Sequence, residues 1–124
     1  MITRRQAWRS GQRGETLAVW WLRLKGYAIL SRGYAIGRGT GAGEIDIVAR
    51  RGKTIAFVEV KVRPTLAAAA QAITPAQQRR IVRAAAAFLA AHPRLVGCDA
   101  RFDAVLLAPG CWPRHISDAW RMDA

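Results

Sequence analysis

Acidic residues are scarce in this chain: eight Asp and Glu stand against twenty Lys and Arg in 124 residues, a formal net charge of +12. Such an imbalance argues against cationic partners and predicts an anionic one, nucleic acid first, because its phosphates form a dense line of negative charge. An anionic membrane surface would also attract the charge, but no segment reads as a basic amphipathic surface helix. Cysteine is nearly missing too. Cys98 and Cys111 alone exclude a disulfide framework or a zinc quartet and fit two thiols in a reducing cytoplasm. No run approaches the eighteen or so apolar residues of a membrane span, and the polar start "MITRRQAWRSGQRGE" does not read as a secretory signal. A cytoplasmic protein without a membrane partner is therefore expected. Hydrophobic residues make up 52% of the chain, which excludes a disordered basic tail. The length suits one domain, 1–124, with about the first ten residues as a flexible basic arm.

What is present begins with "GETLAVWWLRLK", Gly14 to Lys25, which reads as a helix ended by Gly26. It is apolar on most sides, so burial against a sheet is expected, with Trp20 and Trp21 in the core rather than stacking on bases. "YAILSRGYAI" suggests a strand or an irregular strand pair, and "GRGTGAG", Gly37 to Gly43, a turn or mobile loop. "EIDIVAR" and "TIAFVEVKVR", separated by "RGK", carry a hairpin signature. A second helix follows in "TPAQQRRIVRAAAAFLAAH", with Thr74 as N-cap and Pro75 at the first helical position. "RFDAVLLA" reads as a buried strand, and the tail from Cys111 as a short strand or a helical turn. The order α-β-β-β-α-β predicts an α/β fold with a mixed central sheet flanked by helices.

Three of the eight acids, Glu44, Asp46 and Glu59, fall within sixteen positions, with Lys61 close behind. Side chains alternate along a strand, so Glu44 and Asp46 share a face opposite Ile45 and Ile47, and Glu59 shares one with Lys61. Hairpin pairing would bring Asp46 beside Glu59 near one edge of the sheet. Two adjacent carboxylates repel each other, and a divalent cation relieves the repulsion; hard oxygen ligands suit Mg²⁺ or Mn²⁺ rather than zinc. The chain uses seventeen Arg but only three Lys, one of which is Lys61. Beside a metal ion, lysine can orient water or lose a proton, which guanidinium effectively never does. The plainer alternative is a solvated sheet face carrying a Glu–Lys pair. Glu15 likewise divides between a site residue aimed at the sheet and a first-turn acid favoured by the helix dipole.

"GETLA", "GEIDIVA", "FVEVKVR" and "RFDAV", in this order, resemble the YraN family of small bacterial proteins, related to Holliday junction resolvases within the PD-(D/E)xK nuclease superfamily. The resemblance runs from about Gly11 to the end of the chain and is most specific in "GEID…FVEVK". It implies a restriction-endonuclease-like core and a metal-dependent endonuclease acting on branched or structured DNA. By the same resemblance, Asp46 matches the metal-binding aspartate, Glu59 and Lys61 the ExK pair, and Glu15 the helical glutamate that completes the site. Glu44 is a further candidate metal ligand. The departures are Gly33 in place of an asparagine, the glycine-rich loop before "GEID", and Gln77 in place of a lysine. Thr74 and Gln77 have the spacing of a capping box; some relatives use a glutamine near Gln77 or Gln71 to position the scissile strand. A catalytically weak DNA-binding accessory protein is the rival expectation.

Arg63, Arg79, Arg80 and Arg83, with Arg4, Arg5, Arg9 and Arg13, are candidates for phosphate contact, which would position nucleic acid without reading its sequence. Asp103 needs a partner if buried, and Arg101, on the same strand face, can supply one. His92 and His115 read as surface or structural residues. A symmetric four-way junction would call for two sites and hence a homodimer.

Overall fold

The computed structural model describes the backbone of residues 4–35 and 43–121, and the side chains of that set from Arg13 onward. Helix α1 spans Arg4–Leu24, ten residues longer at its start than the sequence suggested. Residues 4–10, expected as an arm, thus continue a helix. Its C-terminal end is a Schellman motif: Gly26 adopts φ 92, its N–H donates to Arg23 O at 3.0 Å, and Tyr27 N donates to Leu22 O at 3.1 Å. Among the described side chains of α1 the buried stripe is formed by Ala18, Val19 and Leu22, with Gly14 buried in the turn before them. Leu17, Trp20 and Leu24 are exposed and Trp21 half-buried, against the expectation of a helix covered on most sides.

Five strands follow: β1 (Ala28–Tyr34), β2 (Ile45–Arg51), β3 (Thr54–Val62), β4 (Asp99–Leu107) and β5 (Arg114–Trp120). They form one sheet in the order β1-β2-β3-β4-β5, with β3 and β4 parallel and every other pair antiparallel. The expected β2–β3 hairpin closes at Arg51↔Thr54, where Gly52 supplies a left-handed residue at φ 61. Its strands are interior, however, with β3 at the centre of the sheet rather than at an edge. The tail resolves as the strand β5, and the alanine-rich "LAAAAQ" is a helix, α2 (Leu66–Gln71), capped by Thr65 Oγ1 accepting from Ala68 N at 3.1 Å. The chain crosses from β3 to β4 through α2 and α3 (Pro75–Ala91). Most of the "GRGTGAG" loop lies outside the described residues.

Both faces of the sheet are covered. Ile47, Ala49, Ala56, Val58, Val105 and Leu107 pack under α1, while Val48, Ile55, Phe57 and Phe102 pack with Ile81, Ala84, Ala85 and Phe88 of α3. On the α3 side, rings run from Tyr34 through Phe88, Phe57 and Phe102 to Trp120, with centroids 5.0–5.9 Å apart, a range in which aromatic pairs attract beyond their buried area. Ile45 belongs to this layer and Ile47 to the other, so the strict alternation expected at the start of β2 does not hold.

A buried polar group interrupts the α1 face. Asp103 is fully buried and accepts four hydrogen bonds: Arg101 Nε and Nη2 at 2.8 Å each, His115 Nε2 at 2.8 Å, and Asp118 N at 3.1 Å. Burial alone would raise its pKa, but the hydrogen bonds from His115 and Arg101 outweigh burial and hold it at about 2. The expected Arg101–Asp103 pair therefore forms, within a larger network than the sequence indicated.

Candidate active site

The β2–β3 ladder ends at Ile47↔Val58, so the next two residues, Asp46 and Glu59, stand where the strands separate. Asp46 Oδ2 accepts from Val60 N at 2.8 Å, giving the β3 amide a carboxylate in place of a strand carbonyl. Meanwhile β3 continues alongside β4 as far as Val62↔Leu107, which keeps Glu59 and Lys61 on a rigid, hydrogen-bonded segment.

Glu59 is 4% exposed, and its two oxygens differ in their surroundings. Oε1 lies 3.4 Å from Lys61 Nζ and 3.5 Å from Gln77 Nε2, whereas Oε2 is buried with no hydrogen-bond partner among the described residues. Burial, and then the neighbouring Asp46 carboxylate, push the Glu59 pKa up to about 9; Lys61 pulls the other way without cancelling them. Glu59 is therefore protonated at neutral pH when no divalent cation is near, and ionising it beside the Asp46 carboxylate is costly unless a cation compensates. The donors present are hard oxygens, so the set fits Mg²⁺ or Mn²⁺.

Gln77 reaches this point from the first turn of α3. Thr74 Oγ1 caps that helix by accepting from Gln77 N at 3.1 Å. The Gln77 side chain turns toward Glu59 instead of closing the capping box that the spacing suggested. Gln71, at the end of α2, is exposed.

Glu15 comes from the opposite layer. Gly14 lets α1 settle on the sheet: a Cβ there would run into Val62 Cγ2. Glu15 then borders a cleft of about 520 Å³ together with Thr16, Arg32, Gly33 and Glu44. Partial burial raises its pKa first and the nearby Asp46 charge second, and Glu44 adds a smaller push. All four acids thus belong to one electrostatic neighbourhood. No three of the described carboxylates, imidazoles or thiols already converge into a cage. Arg32 holds Glu15 Oε1 from Nε at 3.4 Å and Thr16 Oγ1 from Nη2 at 3.2 Å. Sequence reasoning passed over Arg32, because one of seventeen arginines on an irregular strand carries no signal of its own.

The predicted phosphate contacts scatter. Arg63 Nη1 donates to Val62 O at 2.7 Å, at the end of the strand bearing Glu59 and Lys61. Arg79 and Arg83 line a separate cleft of about 230 Å³ with Trp120 and Arg121. Arg80 is exposed, and its carbonyl accepts from Gly43 N at 3.0 Å. Arg13 is exposed on α1; the side chains of Arg4, Arg5 and Arg9 lie outside the described set. Among the described residues no helix is long and apolar enough to cross a membrane.

Among solved structures, the fold is similar to that of Archaeoglobus fulgidus Hjc, a Holliday junction resolvase, with a TM-score of 0.54 and 21% identity over 86% of this chain and 75% of the other. The mixed sheet between helices is accordingly the expected α/β, restriction-endonuclease-like core. A UPF0102 protein of Paramagnetospirillum magneticum is 61% identical over 117 residues, 94% of this chain and 91% of its own. One from Parvibaculum lavamentivorans is 54% identical over 115 residues, 93% and 84% respectively. The model of the uncharacterised protein family UPF0102 matches residues 14–107, a span holding Glu15, Glu44, Asp46, Glu59, Lys61 and Gln77, and the chain belongs to that family, the YraN family that its motifs resemble.

Proposed function

We propose that the protein is a metal-dependent endonuclease that hydrolyses phosphodiester bonds in branched or otherwise structured DNA. One observation carries the reading: the buried, unpartnered Oε2 of Glu59 lies beside Asp46, while Lys61 holds the other oxygen. Asp46 and Glu59 would hold the cation, with Glu15 and Glu44 on the adjoining cleft wall. A bound divalent cation supplies Lewis-acid charge at the scissile phosphate and lowers the pKa of water there. Lys61 is steadied by Glu59 and keeps further N–H donors for a phosphoryl oxygen and for orienting the attacking water. Gln77 holds Glu59 from the α3 side. The likeness to a resolvase favours branched DNA as the substrate, and two copies of the chain would serve a symmetric junction.

The rival reading, a DNA-binding accessory protein without turnover, draws support from the hold of Arg32 on Glu15. Labelled four-way junction, flap and duplex DNA, incubated with Mg²⁺, Mn²⁺ or EDTA, separate the two. The wild type should cut only with metal, and Glu59→Ala should lose about 10²–10³-fold, the range for removing one preorganised electrostatic group. Salt-sensitive binding with no cutting under any metal condition sinks the enzyme reading. Full activity in Lys61→Arg would contradict the role given to the lysine.

A further inference from the structure

On the α1 face, away from the carboxylates, a cleft of about 500 Å³ opens between the end of α1 and the loop joining β4 to β5. Trp21, Lys25, Trp112, Pro113, Arg114 and His115 border it, and no carboxylate is among its lining residues. Trp112 sits on the loop, 81% exposed, with its ring 6.0 Å from that of Trp21. A tryptophan kept so far out in water contributes little to the core, and its face is free for a planar ligand.

The cation beside it is fixed rather than loose. Lys25 Nζ lies 2.6 Å from His115 Nδ1, and His115, whose side chain is 1% exposed, reaches Asp103 Oδ2 from Nε2 at 2.8 Å. Lysine can only donate, so Nδ1 accepts and Nε2 carries the proton given to Asp103. Asp103 is in turn held by Arg101. A chain of buried groups thus anchors one N–H of the ammonium and leaves two for a ligand.

We propose that this cleft binds an unpaired nucleotide of a DNA substrate, its base stacked on Trp112 and its phosphate held by Lys25 and Arg114. A flat aromatic face beside fixed cations is the chemistry that recognises single-stranded nucleic acid without regard to sequence. An acidic peptide would engage the cations and leave the ring face unused. His115 pairs with Val105, and Val105 with Val60, the residue between Glu59 and Lys61. His115 therefore lies two strands, roughly 10 Å, across the sheet from Val60, with the cleft on the α1 face and Glu59 and Lys61 turned to the α3 face, so a nucleotide held there would belong to a strand led away from the carboxylates around the sheet. The proposal rests on the DNA reading above for the identity of its ligand.

The test is fluorescence anisotropy of a labelled oligothymidylate and of a blunt duplex with the full chain, in EDTA so that cutting plays no part. Trp112→Ala should weaken oligothymidylate binding roughly ten-fold, the scale of one lost stack, and leave duplex binding unchanged, while Trp112→Phe should retain most of the affinity. Lys25→Ala should lower the salt slope for the single strand by about 0.7, one phosphate contact. Equal single-strand affinity in Trp112→Ala and wild type overturns the proposal, as does an equal loss on both DNAs. Because binding is scored without hydrolysis, a protein that never cuts leaves this inference standing. One that cuts while Trp112→Ala binds like wild type removes this inference alone.

Discussion

Replacing Asp103 by Asn keeps the shape of the side chain and removes its charge and one acceptor. Four donors now converge on the carboxylate, two on each oxygen. The amide of Asn would offer an acceptor to one pair and turn N–H groups toward the other, leaving two donors facing a donor. The ionised form sets a lower bound on the cost. A pKa of about 2 against the ordinary 3.8 corresponds to about 2.5 kcal/mol at neutral pH. Leaving a buried partner charge unmatched costs about 3–5 kcal/mol, so a loss of about 3 kcal/mol is expected. For a domain of this size that lowers Tm by about 10 °C. Urea unfolding followed by tryptophan fluorescence measures it. The pH dependence adds a second requirement. The folded pKa lies below the unfolded one, so the contribution is complete above about 3.8 and is lost as pH falls through about 2. The gap between wild type and Asp103→Asn should therefore narrow from pH 4 to pH 2. A variant within 1 kcal/mol of wild type at pH 7, or a gap that stays constant down to pH 2, would refute the reasoning.

Gly14→Ala should destabilise the protein by about 1–2 kcal/mol despite the better helix propensity of alanine, because the new methyl meets Val62; thermal melts read the loss, and cleavage assays should show a further defect as Glu15 is displaced. Thr74→Ala removes the α3 cap and should cost about 1 kcal/mol in urea unfolding, with Thr74→Ser recovering most of it. Phe57→Ala empties the centre of the ring stack and should cost about 3–5 kcal/mol; a loss under 1 kcal/mol would show that the layer collapses to fill the space.

The hairpin and the second helix were legible because each has local punctuation: Gly52 between β-branched runs, and Thr74–Pro75 before a periodic segment. The meeting of Asp46 and Glu59 followed from hairpin register, since the alternation of faces expected at the start of β2 breaks there. Glu15 could not be derived that way. It reaches the cleft through the packing of Gly14 on Val62, a contact between residues 48 apart that strand periodicity cannot supply, and the family resemblance named it instead. Trp20, Trp21, Leu17 and Leu24 misled because hydrophobicity around a helix does not say which stripe the sheet will cover. The structural reading of His115 stands, but the link to Lys25 gave no sign, since the carboxylate that organises both, Asp103, lies 12 residues before His115 on the adjacent strand and 78 residues after Lys25. Arg32 was hidden by abundance.

Asp46 has two separate attachments, one to the metal site proposed for the cleft and one, through Val60 N, to the backbone. The second would persist in a relative without the proposed activity, because the β3 amide would still need an acceptor where the strands part. An aspartate at this place is therefore a poor marker of activity across the family. Glu59 is the sharper diagnostic: its burial and unpartnered oxygen are a burden on the fold, and a lineage without the proposed chemistry would gain stability by exchanging Glu59 and Lys61 together for apolar residues, since losing Glu59 alone would leave the Lys61 ammonium unpaired.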